Sequence, residues 1–406
     1  MSEPDLQQKI DAFSELGNEM RKAAGLLNRS HARDGEGSGG GGHSGDDDHS
    51  GGGDGSGGGG HSGDSDTRGG EPPSVKGHNP GVQSLLDSVE QSRAHNPWFT
   101  TRETSRALDA LGRMLQKDKL ESWAGRYKKQ LQEPRVSKTV AVIMAGNIPL
   151  VGFHDFMCVL MAGHRFLGKL SSQDPVLPVT VARMLTRHAP GLEKFIEFTS
   201  AQVDSGDAEA VIATGSDNTA RYFEFRFGDK PRIIRKNRNS TAVISGREPE
   251  AVLGALGEDV FSYFGLGCRS VSHLLIPEDF DLSRLVEAWA PFSPITSHPK
   301  YRNNLIYQRA LFNLKDQPFT DAGCCLLTES AQTASPVSVV HYSRYRHFSD
   351  AGAFLMANKD RLQCVVAAVD FLPDNAKTLL PGESQQPGPA DYADGVDTMD
   401  FLLRFS

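Results

Sequence analysis

Apolar runs of strand length alternate with amphipathic runs of helix length through the middle of this chain, and that alternation leaves few folds open. Val140-Ala141-Val142-Ile143 breaks at Ala145-Gly146-Asn147 and gives way near Pro149 to a helical pattern. Gly163 to Lys169 reads as a second short strand, ending in a lysine and the hydroxyls of Ser171 and Ser172. Ala210 to Thr214 reads as a third, followed by a Gly215-Ser216 turn, a helix-start signal and an amphipathic helix. Parallel strands need a crossover long enough to hold a helix, so this spacing predicts an α/β fold with a parallel sheet. Such sheets bind ligands outside the carboxyl ends of their strands, where loop amides point at an anion, and Asn147 is placed there.

The second constraint is Cys268, in the run Tyr263-Phe264-Gly265-Leu266-Gly267-Cys268-Arg269-Ser270. Gly265 and Gly267 let the backbone turn tightly beside the sulfur, and a strand-like run, Val271 to Ile276, follows. A neighbouring cation, Arg269, and oriented amides favour the thiolate, the form that attacks acyl carbon. The competing reading is a small buried hydrophobe, which is what most free cysteines are. Cys324-Cys325 is a rival nucleophile, but it precedes an apolar run and reads as core.

Taken in order, Ala145-Gly146-Asn147-Ile148-Pro149, Gly168-Lys169, Thr214-Gly215-Ser216, Arg235-Lys236-Asn237-Arg238-Asn239-Ser240 and Gly265-Leu266-Gly267-Cys268-Arg269 resemble the aldehyde dehydrogenase superfamily. Within it they resemble the LuxC-like acyl-CoA reductases, the fatty-acid reductase branch, over roughly residues 75 to 406. The resemblance implies two Rossmann-like parallel-sheet domains with a catalytic cleft between them. It makes Cys268 the nucleophile and Asn147 a donor to the oxyanion. It places Lys169, Ser171 and Ser172 at the nucleotide ribose or its phosphate, Gly215 and Ser216 at the pyrophosphate, and NADPH as the cofactor.

Ordinary aldehyde dehydrogenases carry a glutamate that activates water upstream of the cysteine, whereas Ile234 to Ser240 contains no carboxylate. Hydrolysis of an acyl-enzyme should then be slow, leaving exchange with a thiol such as coenzyme A, or reduction by hydride. The alternative for this basic run is a solvated loop. The implied activity is NADPH-dependent reduction of an acyl-CoA or acyl-protein thioester, with a fatty acyl group, to the aldehyde. An acyl-donating partner enzyme and a homo-oligomer belong to the same implication. A cysteine-dependent acyltransferase without hydride transfer, and a noncatalytic scaffold of this fold, remain open. His154 reads as a packing residue of its helix.

The expected domain plan is an N-terminal helix (1–34), a disordered Gly/Ser/His/Asp-rich insert (35–72), an NADP-binding domain (73–240) and a cysteine domain (241–370). A C-terminal segment (371–406) would pack back on the first domain or a neighbouring subunit. Apolar spacing from Leu6 to Leu27 supports the first helix, and Asn79 to Gln130 reads as two or three more, anchored by Trp98 and Trp123. The insert repeats Gly-Ser-Gly-Gly-Gly-Gly-His-Ser-Gly-Asp at Gly37 and Gly55 and cannot bury a core. His43, His49, His61 and Asp46-Asp47-Asp48 offer metal-ligand chemistry, but ordering that much glycine is entropically costly, so no metal is expected.

With 406 residues, 38% of them hydrophobic, the chain can build two sizeable domains. A formal charge of -8 argues against a general nucleic-acid surface. No run approaches the roughly 18 apolar residues of a membrane span, and Met1 to Leu6 lacks a signal-peptide pattern, so a cytoplasmic protein is expected. Five cysteines without a CxxC indicate neither a disulfide framework nor a zinc site.

Overall fold

A computed structural model of the chain describes residues 3–36, 79–133, 136–215, 217–368 and 378–405. Nearly all of the Gly/Ser/His/Asp-rich insert, including its histidines, lies outside the described residues, as does Ser216.

The N-terminal helix α1 (Leu6–Glu36) buries Phe13, Leu16, Met20, Ala23 and Leu27, spaced three or four apart along one face. It crosses α3 (Thr101–Met114) at two glycines. A Cβ on Gly17 would sit 2.7 Å from Leu115 Cβ, and one on Gly112 would sit 2.7 Å from Gly17 O, so the two backbones are pinned close together. The short helices α2 (Pro80–His95), α4 (Lys117–Gly125) and α5 (Lys128–Gln132) complete this layer, and Trp123 is fully buried in it.

The layer covers a five-stranded sheet of β1 (Thr139–Ile143), β2 (Arg165–Lys169), β3 (Ile196–Thr199), β4 (Ala210–Thr214) and β5 (Arg232–Arg235). Its order is β3-β2-β1-β4-β5 and every pair is parallel. The crossovers carry α6 (Phe153–Met161), α7 (Leu177–His188) and α8 (Asp217–Arg226). This is the doubly wound order, whose direction reverses between β1 and β4 and opens a crevice there.

The second sheet contains β6 (Asn239–Val243), β7 (Val271–Pro277), β8 (Thr320–Asp321), β9 (Leu326–Glu329), β10 (Val339–Tyr345), β11 (Leu362–Ala367) and β12 (Thr378–Leu379). Its order is β12-β11-β6-β7-β10-β9-β8, wrapped by α9 (Glu250–Phe261), α10 (Ser283–Trp289), α11 (Pro299–Leu314) and α12 (Phe348–Ala357). This sheet is parallel except at one edge. β8 runs antiparallel to β9, because residues 322–325 are too few for a crossover and turn instead through Gly323 at φ 76°. Cys324 and Cys325 are buried in this core.

Residues 234–240 are only partly solvated, with Lys236 and Asn237 exposed and Arg235 and Ser240 buried. They form the seam between the sheets, since β5 ends at Arg235 and β6 begins at Asn239. The last helix, α13 (Thr398–Arg404), returns to the first domain, burying Met399 and Leu402 in the core shared by α1, α6 and β1. The His164 ring lies 3.0 Å from Leu402 O and stacks on Phe405.

Candidate active site

Cys268 sits between the turn that ends α9 and strand β7, and it is the exposed one among the five free cysteines. The turn before it is unusual. Tyr263 (φ 53°), Phe264 (φ 57°) and Gly265 (φ 75°) are successive left-handed residues, a conformation costing about 1–2 kcal/mol for each non-glycine. Three anchors hold it. The Tyr263 N–H donates to Glu103 Oε2 at 2.7 Å, the Ser270 N–H to Gly267 O at 3.0 Å, and Ser240 Oγ to Cys268 O at 3.0 Å. Phe264 also packs on Trp98 and on His298, whose Nε2 lies 2.9 Å from Pro97 O.

The loop after β1 reaches this turn directly, with Asn147 Nδ2 donating to Leu266 O at 2.8 Å. One amide hydrogen of Asn147 is thus spent on fixing the cysteine turn, and its second has no partner among the described residues. Among the described residues the Cys268 N–H donates to no protein oxygen, which leaves a second donor at the sulfur. The Asn147 loop is itself clamped. Asn96 Nδ2 donates to Gly146 O at 3.0 Å, and the N–H of Leu150, left-handed at φ 59°, donates to Asp174 Oδ2 at 2.8 Å. Burial pushes the Asp174 carboxyl up to about 7 against the pull of the Leu150 and Leu177 N–H groups.

Cys268 opens into a cavity of about 180 Å³ between the domains, walled by Ala107, Ala110 and Met114 of α3, by Leu150 and by Tyr263. Desolvation by the cavity wall raises the Cys268 thiol pKa although the residue keeps a solvent-exposed face, and the Arg269 guanidinium opposes that shift. Arg269 also donates to Asp391 O at 3.1 Å and to Cys364 Sγ at 3.3 Å, tying residues 384–394 across the cavity. That segment is fastened further by Asp259, which accepts the Gly382 and Ser384 N–H groups, and by Tyr392 Oη, which accepts Trp123 Nε1–H at 2.7 Å.

Two carboxylates reach the cavity wall and both are committed. Asp155 receives both terminal nitrogens of the buried Arg235, with Nη2···Oδ1 2.8 Å, and Arg235 also donates to Thr398 Oγ1 at 3.0 Å. Asp391 Oδ2 accepts the Gly388 N–H at 2.7 Å. His154 lines the cavity but is packed between Trp123 and Tyr392, with Nε2 2.9 Å from Pro389 O. Burial lowers its pKa, so the ring is neutral at pH 7.

Lys169, Ser171 and Ser172 come together in a separate cleft of about 460 Å³ at the carboxyl ends of β1, β2 and β3, with Ser200 and Arg226 beside them. Arg226 is paired with Asp204, whereas Lys169 makes no ion pair among the described residues and donates only to Leu170 O. A lone ammonium with three hydroxyls suits a phosphorylated ribose. Gly215 ends β4 just ahead of α8, where a Cβ would meet the Thr219 side chain at 2.8 Å, and it is not part of that cleft. A Cβ on Gly146 would collide with Ser171, which joins the Asn147 loop to the Lys169 cleft.

Glu103, Asn96, Asp174 and the residue 384–394 segment escaped sequence reasoning, since each acts across a long sequence separation. The left-handed pair had no sequence signal beyond the glycine that follows it.

No protein-family model and no curated protein matches the chain. Solved structures do. An NADP-dependent enzyme from E. coli superposes with a TM-score of 0.53 at 13% identity, covering 74% of each chain. Aldehyde dehydrogenase 21 from Physcomitrella patens, in complex with its reaction product succinate, gives 0.52 at 12% identity over 79% of this chain and 83% of that one. An aldehyde dehydrogenase from Mycobacterium tuberculosis, complexed with NAD+, gives 0.51 at 14% identity over 73% and 76%. The fold is that of the aldehyde dehydrogenases.

Proposed function

We propose that this chain is an NADPH-dependent reductase of acyl thioesters that works through an acyl group bound to Cys268. The observation carrying this reading is the Asn147 to Leu266 bond. It sets an exposed thiol against a strand-end loop whose other side abuts a phosphate-suited cleft. Cys268 thiolate attacks the acyl carbon, the carrier thiol leaves, and the second Asn147 amide hydrogen and the Cys268 N–H receive the oxyanion. Such donors are worth about 3 kcal/mol each. Lys169, Ser171 and Ser172 would hold the ribose phosphate of NADPH, which when bound supplies hydride to the acyl carbon. The tetrahedral adduct on Cys268 then collapses, expelling the thiolate and releasing aldehyde.

Hydrolysis is disfavoured because Asp155 is bound to Arg235 and Asp391 to the Gly388 N–H, so neither is placed to activate water. In this reading the acyl group arrives on coenzyme A or a carrier protein from a donor enzyme, and the protein acts in the cytoplasm as a homo-oligomer. The test is product analysis of wild type and Cys268→Ala with NADPH and acyl-CoA, following NADPH loss, aldehyde and free coenzyme A. NADPH-dependent aldehyde from wild type alone supports the reductase. Coenzyme A release without NADPH loss would move the reading to acyl transfer, and equal activity in the variant would remove Cys268 from the reaction.

A further inference from the structure

We infer that the cavity at Cys268 takes a chain of about six to eight heavy atoms, and that Ala110 and Met114 of α3 set that limit. The inference rests on the acyl-enzyme reading for the name of the substrate, but its geometry stands apart from it. An apolar protein cavity of about 150 Å³ accommodates benzene, so the roughly 180 Å³ here holds about seven carbon-sized atoms. A chain of twelve or more carbons would need about twice that space.

The shape of α3 says which end is closed. Arg102, Arg106, Ala110 and Met114 follow one another at four-residue spacing, a single stripe about 18 Å long that turns from guanidinium to apolar. Arg102, Arg106 and Ala110 line a neighbouring cavity of about 390 Å³, which shares Ala110 and Gln385 with the Cys268 cavity. The mouth is therefore at the arginine end, where Arg102 is exposed, and Met114, only 3% exposed, stands at the apolar end. The polar carrier stays on the Arg102 side of Ala110 while the acyl chain fills the Met114 side. α3 cannot retreat to admit a longer chain, because Gly112, between Ala110 and Met114, is in backbone contact with Gly17 of α1.

The test attaches chains to the sulfur without asking for turnover. Alkyl methanethiosulfonates from propyl to dodecyl transfer their alkylthio group to the Cys268 thiolate as methanesulfinate leaves. The rate is read by intact mass, with Cys268→Ala as the control for the four buried cysteines. Rates should hold to hexyl or octyl and drop at least tenfold by dodecyl. Ala110→Leu should move the break about two carbons shorter and Met114→Ala about two longer, while Met114→Leu, which conserves volume, keeps the wild-type profile. An acyl-CoA series assayed for aldehyde should break at the same length. No break through dodecyl, or one unmoved in both Ala110→Leu and Met114→Ala, overturns the inference. A break without any NADPH-dependent aldehyde would instead overturn the reductase reading and leave the length limit standing.

Discussion

The two strand-end sites of this protein are built in opposite ways. The Lys169 cleft is made of side chains on ordinary backbone, with a lysine and hydroxyls at the ends of parallel strands and an ammonium that pairs with no carboxylate among the described residues. The Cys268 site is made of strained backbone, with two bulky left-handed residues held by hydrogen bonds and packing from distant helices. Where side chains make the site, a substitution should alter affinity and little else. Where tertiary packing holds a strained turn, it should alter turnover and folding together.

The widest separation of the two sites comes from Cys268→Ala, expected to lower aldehyde formation by more than about a thousandfold while the dissociation constant for NADPH stays as in wild type. In the wild type, acylation should accelerate as pH rises toward and past 9, because desolvation by the cavity wall raises the thiol pKa and only thiolate attacks. A parallel fall in nucleotide affinity would break the contrast.

Asn147→Ala comes next, costing kcat about a hundredfold with little change in KM, since the amide fixes Leu266 and in the proposed reaction would receive the oxyanion. Glu103→Ala removes the acceptor of the Tyr263 N–H and one partner of Arg106. It should destabilise the protein by about 2–3 kcal/mol in urea unfolding and reduce kcat as the turn relaxes. Unchanged stability would show that the strained turn holds itself.

Lys169→Ala should raise KM for NADPH about tenfold, roughly 1.4 kcal/mol, and leave kcat and unfolding untouched. At Asp174 the effect is on stability and its pH dependence, with no change expected in nucleotide affinity. Its folded pKa is raised, so the native state holds the proton more tightly, and its contribution to stability is full in acid and is lost as pH rises from about 4 through about 7. Asp174→Asn should flatten that slope in melting temperature against pH, by a few degrees at most.

The same contrast explains what could be read from the sequence. Val140 to Ile143, Arg165 to Lys169 and Ala210 to Thr214 announce strands because apolar runs and turn residues are local signals, and they show Lys169, Ser171 and Ser172 as a lysine and two hydroxyls after a strand, whose nucleotide role only the resemblance implies. Cys268 was visible through its flanking glycines. The Tyr263 to Glu103 bond, the Arg235 to Asp155 pair and the cover formed by residues 384–394 were not, for they join residues from 80 to 269 positions apart. The pairing of Arg235 was hidden for the same reason, since nothing adjacent to it shows that Asp155 awaits it. The antiparallel β8 was missed because it is a two-residue edge strand whose sense is decided by a short turn.

The return of α13 to the first domain has a consequence for how the protein is made. β1 and α6 are synthesised some 240 residues before Met399 and Leu402, which fill the core between them. A ribosome will have produced the whole first domain long before it can be sealed, leaving an apolar groove open on the nascent chain. Chaperone engagement during translation is the natural demand of such a topology, and a chain stopped short of residue 398 should aggregate rather than survive as a working half.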